Sequence, residues 1–229
     1  AWKISSVNSM ITAVNSYLKW AGQAEFSIHT CRVQKQIFRE KSRGLGKEEY
    51  YRLLNAAVSE KRERLSGILR TIAATGMRIG ELRYLTVETL SRQKIEIHFK
   101  GKQRVILMAR SLVIFLRDYC RRNRITSGII FATKNGNPVD RRNIWAEMKE
   151  LCEPARVLPS KVFPHNLRHL FARCFYERER DLVRLVDYLG HSSIETTRRY
   201  TMITSEEACA RELELGLAGN ESWGGAEKK

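Results

Sequence analysis

The sequence lacks the cysteine patterns that would predict a disulfide framework or a zinc ribbon. Its five cysteines are scattered over 229 residues, their number is odd, and no two of them form a CxxC pair. Reduced cysteines in an intracellular protein are the simplest interpretation, so we expect a cytoplasmic location. The sequence also has no apolar run long enough to span a bilayer and no visible signal peptide, so we expect no association with a membrane.

Acidic residues are few compared with basic ones. The chain has 41 Lys and Arg residues against 25 Asp and Glu residues, which gives a formal net charge of +16. Residues 205–229 carry a net charge of −3, so residues 1–204 carry +19. An excess of this size predicts a polyanionic partner, most often a nucleic acid. A basic protein without such a partner is the alternative that composition alone leaves open.

Internal repeats and low-complexity tracts are absent, and apolar residues make up 43% of the chain, which predicts a packed globular protein. Near the start, apolar residues recur at helical spacing and predict a helix over residues 4–18. They are Ile4, Val7, Ile11, Val14 and Leu18. Residues 32–43 lack this periodicity, are basic and precede two nearby glycines, which indicates a linker.

Beyond the linker, the patterns predict a mainly α domain with one small antiparallel β-sheet, an α+β fold. In KIEIHF, Ile95, Ile97 and Phe99 alternate with polar residues, as in a half-buried strand. QRVILM predicts a second strand, and Lys100 and Gly101 form a tight turn between the two. The other segments carry helical periodicity or capping signals. The predicted helices lie at about 47–59, 63–75, 78–88, 110–122, 140–151 and 164–178, and between Asp181 and Gly190.

Four separated stretches carry side chains that are suited to phosphate chemistry. They are ATGMRIGEL, FKGKQR, HNLRH and LGHSSIETTRRYT, which end at Leu82, Arg104, His169 and Thr201. Taken singly, each stretch is better explained by solvated charge or an ordinary helix cap. Taken together, they contain the groups that a metal-free cleavage of a phosphodiester requires.

Such a cleavage needs a nucleophile, cations around the nonbridging oxygens and an acid for the leaving oxygen. A tyrosine hydroxyl can attack, an arginine fork can bind two oxygens at once, and a lysine is a compact, movable acid. His165 and Arg168 would share one face in the first turn of a helix, where the helix dipole also favours an anion. His191 precedes another predicted helix start. We therefore expect a reaction without a metal or other cofactor.

In this order, the four stretches resemble the tyrosine recombinase, or phage integrase, family. The resemblance covers nearly all of the chain from about residue 45 to Tyr200. It implies that Tyr200 is the nucleophile and that Glu81 is an acidic companion of the first catalytic arginine. The other catalytic residues that it implies are Arg78, Lys100, His165, Arg168 and His191. The residues expected to bind DNA are Lys102, Arg104, Arg198 and Arg199.

The lysine that acts as the acid is left open between two candidates. Lys100 leads into the turn glycine, as in the hairpin of the family that the sequence resembles. The predicted turn is shorter than in many relatives, however, and this makes Lys102 a rival. We favour Lys100.

The resemblance implies a site-specific recombinase or integrase that cleaves and rejoins DNA through a 3′-phosphotyrosyl intermediate, without metal or ATP. Its implied partner is double-stranded DNA. The protein would be a monomer when free and would form a homotetramer that synapses two DNA sites. Residues 1–44 would be the C-terminal remnant of a helical core-binding domain plus the linker. Residues 45–229 would be the catalytic domain, with a tail helix at about 204–217.

Three other functions remain open at the level of sequence. A type IB topoisomerase would use related chemistry but would relax supercoils as a monomer. A DNA-binding module without strand exchange would keep the basic surface and form no covalent adduct. A metal-dependent hydrolase could use His165, His169 and His191, although Asn166 stands where a zincin would place its glutamate.

The assignment of the nucleophile is tested by Tyr200→Phe, which removes a single hydroxyl group. We expect this variant to form no SDS-stable adduct with DNA, while its affinity for DNA changes by less than about threefold, because binding rests on the basic body of the protein. Denaturing gels measure the adduct and fluorescence anisotropy measures the affinity. Adducts that persist in the variant would show that another residue attacks the phosphate.

Overall fold

The computed structural model describes residues 2, 4–31, 44–99 and 102–190, without the side chains of residues 5, 98, 99 and 102. The chain forms two compact units, Ala1–Arg39 and Glu40–Lys229. Several predicted features lie outside this description. They are the linker at 32–43, the turn of Lys100 and Gly101, the side chain of Lys102, the tail helix, and His191, Arg198, Arg199 and Tyr200. The assignment of residues 1–44 to a core-binding domain stays a prediction.

The first unit is built on helix α1, Ile4–Trp20, which confirms the helix predicted over 4–18. Asn8 and Asn15 stand seven residues apart, about two helical turns, and therefore lie on the same side of α1. Asn8 exchanges hydrogen bonds with the backbone of Cys31 at 2.8 and 2.9 Å, and Asn15 exchanges two with Ile28 at 2.8 Å. No described residue of this unit is buried, so these polar contacts hold the returning segment on the helix.

The second unit is mainly helical and has the α+β composition expected from the sequence. Its described α-helices are α2 (Lys47–Ser59), α3 (Glu63–Thr75), α4 (Val87–Arg92), α5 (Arg110–Arg122), α6 (Arg141–Glu150), α7 (Pro164–Glu179) and α8 (Leu182–Leu189). Short 3₁₀ helices span Ala24–Phe26 in the first unit, and Ile79–Tyr84 and Pro159–Lys161 in the second. None of the helices described here has both the length and the apolar composition needed to cross a bilayer.

Two antiparallel strands form the sheet, β1 (Lys94–Phe99) and β2 (Lys102–Leu107). Ile95 and Ile97 are buried whereas Glu96 is exposed, which confirms the half-buried strand that alternation predicts. In the register of the pair, Ile97 lies opposite Arg104. Arg104 therefore lies on the same face of the sheet as the buried Ile97.

Helix α3 lies at the centre of the core. It packs against α2, α5, α6 and α7, and four of its apolar side chains are fully buried because they recur at helical spacing on one side. They are Leu65, Ile68, Leu69 and Ile72. The helix ends at Gly76, whose φ of +63° is the left-handed conformation that terminates many helices. This termination places Arg78 just beyond the end of the most buried helix.

One predicted helix is wrong. The sequence predicted a single helix over 78–88, but a 3₁₀ helix, Ile79–Tyr84, and the short helix α4 replace it. The break lies at Leu85 and Thr86, whose backbone is extended. The carbonyl of Leu85 accepts a hydrogen bond from the amide of Ile130, and Thr86 forms an isolated bridge with Ile129. A distant segment therefore takes the hydrogen bonds that a continuous helix would have used.

The helix boundaries near the end of the described chain follow their sequence signals. Pro164 occupies the first turn of α7, where an amide hydrogen would have no acceptor within the helix, so that its absence in proline costs no hydrogen bond. The carboxylate of Asp181 accepts a hydrogen bond of 2.9 Å from the amide of Arg184 and so caps α8. Gly190, with a φ of +59°, ends that helix. All three predictions are confirmed.

Because α3 lies at the centre of the core, we expect Ile68→Ala to lower the stability of the protein strongly. Ile68 is fully buried, so the truncation should lower the free energy of unfolding by about 2–5 kcal/mol. The matched control is Ile114→Ala on α5, where the side chain is 58% exposed and the change should stay within about 0.5 kcal/mol. Urea unfolding followed by circular dichroism measures both. Equal losses in the two variants would contradict a core centred on α3.

Candidate active site

Arg78 is held by a carboxylate that stands three residues further along the chain. The amide of Arg78 donates to Oε2 of Glu81 at 2.7 Å, and its Nη1 donates to Oε1 at 3.0 Å. The contact of the Glu81 carboxylate with the amide of Arg78 is one half of a capping box, at the start of the 3₁₀ helix Ile79–Tyr84. The side chain of Arg78 stays 47% exposed. The local sequence therefore fixes the base of this side chain and leaves its guanidinium open to a ligand.

The same carboxylate binds a second arginine. Nη1 of Arg104, in β2, donates to both oxygens of Glu81 at 2.5 and 2.6 Å. Its Nη2 donates to the carbonyl of Tyr188 at 3.0 Å. Only 10% of the Arg104 side chain and 13% of the Glu81 side chain are exposed. In this structure the guanidinium of Arg104 faces protein groups, and a contact of Arg104 with DNA stays a prediction.

Arg168 is buried even more deeply, with 1% of the residue exposed. Its Nη1 donates to the carbonyl of Gly76, and its Nη2 donates to the carbonyl of Leu189 at 2.6 Å. Gly76 precedes Arg78 by two residues, and Leu189 precedes His191 by two. From α7, Arg168 therefore joins the loop that carries Arg78 to the chain that leads into His191. A direct phosphate contact of Arg168 stays a prediction.

Three consecutive backbone carbonyls at the end of α8 thus contact the guanidinium groups of three different arginines. Arg104 binds Tyr188 at 3.0 Å and Arg168 binds Leu189 at 2.6 Å. The contact of Arg78 Nη2 with the Gly190 carbonyl is longer, at 3.5 Å. The last carbonyls of a helix have no partner within the helix and carry its partial negative charge, so they favour cations. In this way the end of α8 gathers groups from three elements.

His165 lies in the first turn of α7 and is exposed. Its ring contacts the ring of His169 edge to face, with 4.7 Å between centroids. His165 and Arg168 are thus on one helix as expected, although only Arg168 points into the protein. Within residues 2, 4–31, 44–99 and 102–190, no group of three or more His, Cys, Asp or Glu side chains is arranged to hold a metal ion.

An open cleft lies beside these arginines. Arg78, Glu81 and Arg104 form part of its wall, and three further arginines line it. They are Arg83, Arg141 and Arg184. Its volume of about 1770 Å³ exceeds the roughly 300–1,000 Å³ of pockets that enclose small molecules. The cleft therefore fits an extended, negatively charged partner better than a small metabolite.

The charges at the site are unbalanced. Burial lowers the pKa of Arg104, and the neighbouring carboxylate of Glu81 opposes this shift. Guanidinium groups remain protonated in proteins, and Arg78 and Arg104 share the single carboxylate of Glu81, so this pair of arginines is only partly neutralised. The excess of positive charge is suited to the oxygens of a phosphodiester, whose negative charge increases during cleavage. Fold and site are therefore suited to a partner that carries phosphate groups.

Comparison with known proteins identifies the family. A profile of the phage integrase family matches residues 43–207. The chain belongs to this family, whose members are tyrosine recombinases. The tyrosine recombinase XerA of Pyrococcus furiosus is 29% identical over 215 residues, which cover 90% of this chain and 72% of that protein. The resemblance seen in the four sequence stretches is thus confirmed.

Solved structures share the fold. The crystal structure of XerA recombinase has a TM-score of 0.63 and 26% identity, and the match covers 92% of this chain and 75% of that one. The Tn1549 transposon integrase, in complex with circular intermediate DNA, has a TM-score of 0.70 at 17% identity, covering 93% and 80% of the two chains. The second likeness supports the fold alone. The predicted α+β class of the second unit is confirmed.

Sequence reasoning missed the part that the backbone plays in the site. The carbonyls of Tyr188, Leu189 and Gly190 bind the arginines, and a carbonyl leaves no residue-specific signal. The inward direction of Arg104, in contrast, could have been predicted from the sequence. In β2 its side chain falls on the same face as Ile106, which is buried, because side chains alternate along a strand.

Because Gly76 connects α3 to the loop that carries Arg78, we expect Gly76→Ala to lower the stability of the protein. The left-handed backbone disfavours a side chain by about 1–2 kcal/mol. The new Cβ would also lie 2.4 Å from Cδ1 of Phe171 and 3.0 Å from Cδ2 of Leu189, a clash of about 1–3 kcal/mol. We expect the free energy of unfolding to fall by roughly 2–5 kcal/mol and adduct formation to slow, since the carbonyl bound by Arg168 must move.

Gly136→Ala is the matched control for this prediction. Gly136 has a φ of +77°, and a Cβ there would meet no atom within 4 Å. Only the backbone term remains, so the loss should be about 1–2 kcal/mol with an unchanged rate of cleavage. Calorimetry and adduct formation measure the two variants side by side. A Gly76→Ala protein no less stable than Gly136→Ala would refute the tight contact.

Proposed function

We propose that this chain is a site-specific recombinase that cleaves and rejoins DNA strands through Tyr200. The proposal is carried by one observation, the convergence of Arg78, Arg104 and Arg168 on the last carbonyls of α8. In the sequence, His191 comes two residues after the end of that helix, and Tyr200 stands nine residues later. Membership of the phage integrase family and the likeness to XerA support the same activity.

The substrate proposed is double-stranded DNA. The charge of +19 on residues 1–204 and the arginine-lined cleft favour a phosphate backbone, because each phosphate that a basic residue neutralises releases a counterion. The Tn1549 integrase, which shares the fold, is known in complex with DNA. An enzyme with this substrate works where the cell keeps its DNA, and we infer the cytoplasm.

In the cleavage step, the hydroxyl oxygen of Tyr200 attacks the phosphorus and loses its proton to water as the new P–O bond forms. The bond to the 5′-oxygen breaks, and Lys100 donates a proton to that oxygen. Arg78, half of whose side chain is exposed, binds the nonbridging oxygens as their charge increases. Arg168, His165 and His191 complete this set in the proposal. The products are a 3′-phosphotyrosyl bond and a free 5′-hydroxyl.

Rejoining reverses the same chemistry. A 5′-hydroxyl from a partner strand attacks the phosphotyrosine and releases Tyr200, so each broken ester is replaced by another. The reaction therefore conserves bond energy and needs no ATP. Exchange between two sites requires four cleavages, and we infer a homotetramer on two synapsed DNA sites that assembles from monomers.

DNA with sulfur at the 5′-bridging position of the scissile phosphate tests this mechanism. Wild-type protein should form an SDS-stable adduct with ordinary DNA in excess EDTA. Lys100→Ala should be inactive on that DNA but should regain most of its rate on the sulfur substrate, because a thiolate leaves without a proton. Arg78→Ala should not be rescued, since the charge on the nonbridging oxygens still increases.

The matched control is Lys102→Ala, which should behave almost like wild type on both substrates. Rescue of Lys102→Ala, with Lys100→Ala inactive on both, would transfer the role of the acid to Lys102. Absence of any adduct from the wild-type protein on cognate DNA would contradict the recombinase proposal itself.

A further inference from the structure

The Glu81 carboxylate lies between one arginine that is exposed and one that is buried. Arg104 donates to both of its oxygens at 2.5 and 2.6 Å, whereas Nη1 of Arg78 approaches only Oε1, at 3.0 Å. The Arg104 side chain is 10% exposed and that of Arg78 is 47% exposed. The carboxylate is therefore bound more completely by the arginine that is less exposed to the cleft solvent.

We propose that Arg104 is a positioning residue, which keeps the guanidinium of Arg78 available for the scissile phosphate by occupying the carboxylate of Glu81. This inference rests on the proposed function, in which Arg78 binds the nonbridging oxygens. Arg104 itself touches neither DNA nor the nucleophile in this arrangement. It acts through the charge that it neutralises.

The position of Arg104 is fixed from two further directions. Its Nη2 donates to the carbonyl of Tyr188 at 3.0 Å, so the guanidinium cannot swing away from α8 without losing a buried hydrogen bond. Its side chain also passes close to Gly190, where an added Cβ would lie 2.4 Å from Cδ of Arg104. A glycine at this point thus allows the approach. The buried Nε of Arg104 has no hydrogen-bond partner among the described residues, a cost that the two strong contacts of the same group offset.

Loss of Arg104 would leave Glu81 with one described ion-pair partner, Arg78. A carboxylate that is only 13% exposed strongly favours a partner when its first one is removed. The side chain of Arg78 would then turn from the cleft and bind both carboxylate oxygens, as arginine and carboxylate commonly do. The phosphate would have to compete with this ion pair, and cleavage would slow.

The experiment compares Arg104→Ala with the double variant Arg104→Ala/Glu81→Gln in single-turnover adduct formation. We expect Arg104→Ala to cleave about 30-fold or more slowly, with an affinity for DNA within about threefold of wild type. Removal of the Glu81 charge should release Arg78 and make the double variant at least about tenfold faster than Arg104→Ala. A purely structural role for Arg104 predicts the opposite, because the second substitution would remove another contact.

Arg104→Lys guards against a variant that fails to fold. An ammonium group can still neutralise Glu81, so most of the cleavage rate should return, although one point charge cannot replace the arginine fork. The free energy of unfolding is measured for every variant. The matched control is the distant pair of Arg64 and Glu147, at 2.9 Å, where Arg64→Ala, alone or with Glu147→Gln, should leave the cleavage rate unchanged.

A second measurement needs no activity. Phenylglyoxal modifies accessible arginines, and mass spectrometry of the DNA-free protein gives the rate at Arg78. This rate should fall severalfold in Arg104→Ala, as Glu81 binds the guanidinium, and should recover in the double variant. Equal rates in wild type and Arg104→Ala, or a double variant that cleaves no faster than Arg104→Ala, would overturn the proposal. If wild-type protein forms no adduct, the proposed function fails, while the modification rates still decide the role of Arg104.

Discussion

The end of helix α8 is the point on which the described part of the site depends. Its last carbonyls have no partners within the helix and must be satisfied from outside. Arg104 from the sheet, Arg168 from α7 and Arg78 from the loop after α3 supply those partners. Three separate elements are thereby brought together around one helix end. The cationic cluster is a consequence of backbone hydrogen bonding as much as of side-chain chemistry.

The remaining fold keeps this helix end in place. Helix α3 anchors the core and stops at Gly76, whose carbonyl accepts a hydrogen bond from Arg168. Arg168 is fully enclosed, and the main-chain carbonyls of Gly76 and Leu189 accept hydrogen bonds from its guanidinium. Glu81 adds one negative charge between Arg78 and Arg104. The result is an excess of positive charge that is fixed before any phosphate arrives, and such preorganisation is what electrostatic catalysis requires.

Much of the fold could be predicted because local signals agreed with the final structure. Helix α8 begins after the capping residue Asp181 and ends at the left-handed Gly190, as helices with these signals commonly do. Alternation in KIEIHF indicated a half-buried strand, and the structure buries Ile95 and Ile97. The helix over 78–88 was wrong because Leu85 pairs with Ile130, 45 residues away along the chain. No local pattern contains that partner.

The sequence by itself determined the chemistry available, since the order and spacing of Arg78, Glu81, His165 and Arg168 resemble those of the phage integrase family, which the profile match confirms. Only the tertiary structure decided how these groups are used. Arg104 and Arg78 are both basic residues near a glycine, and the sequence did not distinguish their roles. Burial separates them, because a guanidinium removed from water must bind protein groups, whereas an exposed one remains available to a ligand. Alternation in β2 indicates the inward direction of Arg104, but the groups that it meets there depend on the packing of β2 against α8, which no local spacing encodes.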